Sequence, residues 1–255
     1  MLSEIKSYFS SLSQQGIKNI IFYPNFVPLL LNGYSIDELN RFFYSSMTSN
    51  FDTVALSSDS LNLCGTDDIF YCNDTLSSGR SSFVNYIITN RRFERSFHPY
   101  VSTVFFGKTN GVVPYLSSSL HGYGKNTPYD YMQQNNFHVL TLNMPIRMST
   151  LVHHSEYIAN VPYRYIKLFK HRCATSLGQK VTKNTYCLNV LIESLRYNIY
   201  RDYGENLWNL AHLSRYQSTH SFKQLRFDLM LFNDFVNSTV DVLTSNPSSW
   251  LSEQR

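Results

Sequence analysis

A chain of 255 residues, 43% of them hydrophobic, is long enough to close one large α/β core. Its formal charge of +4 is mild, and its basic residues gather only modestly at 90–95 and 163–172, as solvated faces do, which speaks against a nucleic-acid groove. The longest apolar run, 20–31, is cut by Pro24 and Pro28 and is too short to cross a bilayer. No basic-then-apolar signal opens the chain, so a cytoplasmic protein without membrane or nucleic-acid partner is expected. Cys64, Cys72, Cys173 and Cys187 are scattered and form no C-x-x-C pair, the pattern of reduced thiols rather than of a disulfide or zinc framework.

In chain order, residues 4–15 predict a helix and 18–23 a strand. Residues 35–49 predict a second helix, with Ser35 as N-cap and Glu38 at capping-box spacing. A strand is expected at 52–56, followed by a long Ser/Asn/Asp/Gly-rich loop to about residue 74. Residues 77–90 read as a helix, 102–106 as a strand, and 127–134 as a short helix opened by Thr127-Pro128. Residues 137–142, FHVLTL, read as a buried strand that Pro145 ends, after which Ser149 or Thr150 is placed to cap a new helix. Residues 186–200 and 221–243 carry helical or mixed periodicity. Strands alternating with helices predict a layered α/β/α domain.

The chemistry concentrates in residues 148–165, MSTLVHHSEYIANVPYRY. Thr150, His153 and Glu156 are three residues apart, which places them near one helical face at the carboxyl end of a strand, where open α/β sheets hold ligands. An imidazole there can accept a proton near neutral pH, and a carboxylate can orient it. The blander readings are a histidine satisfied by its neighbours, a surface glutamate paired with a lysine, and a threonine that only caps. His154 points about 100° away from His153 on a helix, and the spacing is not H-E-x-x-H, so no metal site is expected. The Tyr163-Arg164 pair after Pro162 reads as a structural strut, with contact to a ligand as the alternative.

Two more segments bear on this one: RSFHPYVS at 95–102 and YGKNTPYD at 123–130. Taken in order, RS-x-HP-x-x-S, G-x-x-[ST]-P and T-x-x-H-x-x-E…PYR resemble the aminoglycoside 3-N-acetyltransferase family, firmly over about 75–164. The opening helix with GIKNIIFYPNF and the closing NPSSWL are also similar to it. The resemblance implies one α/β domain over 1–255, a three-layer α/β/α sandwich with a central mixed sheet and a helical C-terminal portion. It implies acetyl-CoA or another acyl-CoA as co-substrate, no metal, and a possible homodimer. His153 would be the base, Glu156 its orienting carboxylate, and Thr150 a donor beside the thioester, helped by amides at the helix start.

By the same resemblance, Tyr23, Asn25, Ser96, Ser102 and Ser149 would line the acyl-CoA end. His98, which reads equally as a turn histidine bonded to backbone, and Tyr123 would lie toward the amine, and by charge alone Asp67 and Asp68 add a small acidic group there. The chain departs from the family where His and Ser usually follow the first strand, having Tyr23, Pro24 and Asn25 instead. The glycine-rich loop before the catalytic helix is here residues 143–147, NMPIR. Only 18 acidic residues and a positive balance suit a neutral or anionic amino sugar, such as a nucleotide-linked sugar for surface polysaccharide, better than a polycation. The alternatives are an aminoglycoside acetyltransferase and a non-catalytic sugar- or nucleotide-binding module.

Overall fold

The computed structural model describes residues 1–78, 82–116, 120–192 and 205–250. Helix α1 (Leu2–Gln14) turns Ile5, Phe9 and Leu12 inward at helical spacing. The chain then enters β1 (Asn19–Pro24), a short α2 (Val27–Leu31) and α3 (Ile36–Asn50). Ser35 caps α3 as its spacing predicts, its hydroxyl accepting the Glu38 amide at 3.2 Å. After β2 (Thr53–Ser57) the polar loop holds a 3-10 turn at Leu61–Leu63 and a two-residue strand, β3 (Phe70–Tyr71). Next come α4 (Ser82–Asn90), β4 (Glu94–Arg95), β5 (Thr103–Gly107), α5 (Val113–Leu116), α6 (Pro128–Gln134) and β6 (His138–Leu142). The remainder is α7 (Val152–Ile158), β7 (Arg164–Ala174), β8 (Thr182–Leu191), α8 (Glu205–Leu210), β9 (Ser218–Phe222), β10 (Leu225–Leu231) and α9 (Phe232–Ser245).

Seven strands form a mixed sheet in the order β4-β5-β2-β1-β6-β10-β9. Strand β1 runs parallel to β2 on one side and to β6 on the other, while the outer pairs are antiparallel. Because side chains alternate across a strand, Ile20 and Phe22 enter one core with α1, α3 and α4, and Ile21 enters another with α6, α7 and α9. Burying each such large apolar side chain is worth roughly 1.5–3 kcal/mol. This is the expected three-layer α/β/α sandwich with a central mixed sheet.

The expectation for the last third needs correction. The described part of 186–200 is strand, because β7 and β8 pair antiparallel from Arg164↔Leu191 to Cys173↔Thr182 and join β3 in a second sheet. Residues 193–200 lie outside the described residues. In 221–243 only α9 is helical. Its neighbours β9 and β10 extend the main sheet, because Phe227 and Leu229 alternate with Asp228 in strand fashion. Among the described residues no helix is long and apolar enough to cross a membrane.

Candidate active site

The order β2-β1-β6 makes β1 the point where the chain's crossovers change side, and its carboxyl end opens a crevice. A cleft of about 770 Å³ occupies that place, lined by Tyr23, Pro24 and Asn25 from β1, Ser57 and Asp59 after β2, and Met144, Met148, Ser149 and Thr150 after β6. Three strand ends that are remote in sequence therefore build one wall.

The helix after β6 begins later than predicted. Its N-cap position is Leu151, with no side-chain cap. The first amides are satisfied instead by the main chain, His153 N donating to Thr150 O at 3.1 Å and His154 N to Leu151 O at 3.0 Å. The hydroxyls expected to cap are thereby released. Thr150 Oγ1 lies 3.3 Å from the Tyr23 hydroxyl, while Ser149 Oγ is buried, has no hydrogen-bond partner among the described residues, and lines the cleft. Burial pushes the Tyr23 phenol well up, so it stays a protonated donor at neutral pH.

His153 and Glu156 meet as their spacing requires. Imidazole Nδ1 donates to Glu156 Oε2 at 2.6 Å, and the carboxylate is fully buried while His153 remains 21% exposed. An ionised carboxylate only accepts, so Nδ1 carries a proton, and in the neutral form of the ring Nε2 is the acceptor. Arg164 Nε approaches the same Oε2 at 2.7 Å, and its Nη1 donates to Asn189 O. Burial alone would raise the Glu156 carboxyl, but the charges and hydrogen bonds of His153 and Arg164 outweigh it and hold it below its ordinary range. Arg164 is thus more than a strut: it keeps the carboxylate ionised so that it can orient the imidazole.

Tyr123 packs its ring edge-on to His153, with centroids 5.9 Å apart. The glycine of that motif is explained by contact. Gly124 has φ +91°, and a Cβ there would lie 2.2 Å from the Tyr157 ring of α7.

Other expected site residues lie elsewhere. His98 is fully buried; its Nδ1 accepts the Tyr100 and Val101 amides and its Nε2 donates to Cys187 O, so it builds a turn and does not face the amine. Ser96 is buried and accepts the Thr103 amide. Ser102 is buried and donates to Ser58 O while accepting from Arg95. Neither serine lines the cleft. The Asn25 side chain lines it but is committed, donating to Asn143 O at 3.2 Å as Asn143 donates back to Asn25 O, which ties the ends of β1 and β6 together. Asp67 and Asp68 are exposed on the loop before β3, outside the cleft lining, where they act electrostatically on His171. His154 is buried; its Nδ1 accepts the Gly124 amide and its ring stacks on Tyr129. Asp59 was not singled out by sequence, because an Asp inside a Ser/Asn/Asp-rich loop carries no spacing signal.

Burial pushes both His98 and His154 down to about 4 from an ordinary 6.5. In the folded protein they stay neutral as pH falls from 6.5 to 4, whereas the unfolded chain takes up their protons. Stability must therefore decline across that window. Urea midpoints measured from pH 7 to 4 are expected to fall steadily, and a flat profile would contradict the burial of these rings.

An imidazole–carboxylate pair beside a switch-point cleft in an α/β/α sandwich is an arrangement for removing a proton from a bound nucleophile, and known N-acetyltransferases share this architecture. The AAC-IIIb structure, described as binary with CoASH, superposes with a TM-score of 0.75 at 15% identity over 98% of each chain. Aminoglycoside acetyltransferase AAC(3)-IVa superposes at 0.70, with 15% identity over 97% of this chain and 91% of that one. The YokD protein from Bacillus subtilis gives 0.69, with 16% identity over 94% and 99%. Comparison with curated protein sequences returned no match. The sequence profile of the aminoglycoside 3-N-acetyltransferase family matches residues 71–244, and the chain belongs to that family. It is accordingly an N-acetyltransferase with acetyl-CoA as co-substrate.

Proposed function

We propose that this protein transfers the acetyl group of acetyl-CoA to an amino group of an aminoglycoside-type amino sugar. The observation that carries this reading is the short His153 Nδ1–Glu156 Oε2 bond closed by Arg164, which leaves Nε2 as a proton acceptor at the strand ends. The substrate ammonium first loses one proton to solvent, and as the free amine attacks the thioester carbonyl His153 Nε2 takes a second proton from the nitrogen. Collapse of the tetrahedral adduct breaks the C–S bond, and the imidazolium returns its proton to the departing thiolate. Thr150 Oγ1, held by Tyr23, is the donor assigned to the developing negative charge, and Ser149 Oγ is a free hydrogen-bonding group for the acyl-CoA. A donor of the first kind is typically worth about 3 kcal/mol.

Family membership favours an aminoglycoside over the nucleotide-linked sugar suggested by overall charge. Of the basic run at 163–172, Arg164 is committed to Glu156, while Lys167 and Arg172 are exposed on β7. Thiol release from acetyl-CoA with kanamycin, with a nucleotide-linked amino sugar and with no amine tests the reading. Turnover is expected with kanamycin. Turnover with the nucleotide sugar alone would overturn the substrate, and none with any amine would favour a binding module.

A further inference from the structure

We propose that the outer face of the β7–β8 hairpin docks reversibly on an anionic lipid bilayer, its cations meeting headgroup phosphates while Ile166 and Leu168 enter the interface. No residue of this hairpin lines the cleft, and the proposal is independent of the acetyl-transfer reading.

The positive charge of the chain is gathered on this hairpin. Six of the 22 lysines and arginines lie in 164–191 and none of the 18 aspartates and glutamates does, which leaves 16 bases against 18 acids in the rest. Arg164 is spent on Glu156, and the other five, Lys167, Lys170, Arg172, Lys180 and Lys183, are all exposed. Among the described residues none of these five forms a salt bridge. The nearby carboxylates are engaged otherwise, Asp67 and Asp68 acting on His171 and Asp74 accepting the Leu177 amide at 2.8 Å. A solvated face explains such a basic run by itself. It does not explain the aliphatic side chains set among the cations, Leu168 at 65% exposure and Ile166 at 51%.

Strand periodicity decides which way these groups point. On β7 the Phe169 ring packs edge-on to Tyr100, with centroids 5.4 Å apart, and His171 Nδ1 lies 3.1 Å from the Tyr100 hydroxyl, so this face is anchored on the body of the protein. Ile166, Leu168, Lys170 and Arg172 alternate with them and share the opposite, exposed face. In chain order the cations at 167–172 and 180–183 are two modest groups, and pairing makes them one, with Arg172 opposite Lys183. Like charges directly opposite destabilise a strand pair, and an anionic surface relieves that repulsion. A second copy of the chain fits this face badly. β3 is in register only with Cys173 and Ala174, and lysines along the rest of the β7 edge repel an equally charged strand. A nucleic acid would engage the cations but gain little from Ile166 and Leu168, because phosphates are held by charge and unpaired bases by aromatic stacking. A bilayer interface uses both components, aliphatic burial adding to the attraction of anionic headgroups. The contact is peripheral, since among the described residues no helix is long and apolar enough to cross a membrane.

Co-sedimentation with vesicles tests this, using phosphatidylcholine alone and phosphatidylcholine with about one third phosphatidylglycerol, and a duplex RNA as a separate probe. Wild type is expected to bind the anionic vesicles, to leave them in high salt and to ignore the neutral ones. The triple variant Lys170→Gln, Arg172→Gln, Lys183→Gln should lower partitioning by about a hundredfold, as three basic side chains at an anionic surface imply. The double variant Ile166→Ser, Leu168→Ser should lower it by about tenfold with the charge unchanged. Leu168→Trp should shift its emission to the blue on the anionic vesicles. All these positions are exposed, so the Tm of each variant should stay close to that of the wild type. No binding to the anionic vesicles, equal binding to the neutral ones, or indifference to either set of substitutions would overturn the proposal. So would RNA bound more tightly than the vesicles and without regard to Ile166 and Leu168, which would make the face a nucleic-acid contact.

Discussion

His153→Ala is expected to lower kcat by about a hundredfold or more while the KM for acetyl-CoA stays close to that of the wild type. The effect is expected on kcat because Nδ1 is held by Glu156 at 2.6 Å, which leaves Nε2 to take the proton. His153→Gln should be as inactive, since an amide cannot take the proton. His154→Ala separates chemistry from packing. Sequence suggests that it would spare most activity, and the structure adds that it must cost stability, because the ring is buried on Tyr129 and accepts the Gly124 amide. The expected outcome is a lower melting temperature with kcat of the folded fraction retained. Equal loss of kcat in the two alanine variants would refute the assignment of His153.

Removing the cation behind the pair has the largest expected effect on stability. Arg164→Met leaves the fully buried Glu156 carboxylate without its arginine, and breaking a buried pair from one side costs about 3–5 kcal/mol. For a chain of this size that lowers Tm by on the order of 10 °C. Glu156 then avoids its uncompensated charge by taking up a proton, and a neutral carboxyl orients His153 less well, so kcat falls too. The double variant Glu156→Gln, Arg164→Met removes both charges and should regain most of the stability without regaining activity. Thermal unfolding of the three proteins decides the matter. Equal Tm for the single and double variants would show that the buried charge is not what Arg164 controls.

Local features of the chain carried much of this. The Ser35 cap, the buried strand FHVLTL and the i, i+3 meeting of His153 with Glu156 depend on residues within a turn of each other, and short-range spacing determines them. Three ordered motifs were enough to indicate the family. His98 reads equally as a cleft residue and as a turn residue in the sequence, and only burial distinguishes the two.

What only the tertiary structure decided is everything that depends on strand order. Tyr23 meets Thr150 across 127 positions because β1 and β6 are parallel neighbours whose carboxyl ends coincide. Asp59 reaches the same cleft because β2 lies on the other side of β1, and no periodicity in its polar loop announces that. Arg164 becomes the partner of Glu156 because the chain turns back after α7 into β7, bringing a cation to a carboxylate that helical spacing alone pairs only with His153. The sequence by itself determined that His153 meets Glu156, and it determined the class of fold. The order of the strands in the sheet determined the cleft wall, because residues far apart in the chain become neighbours only when their strands pair.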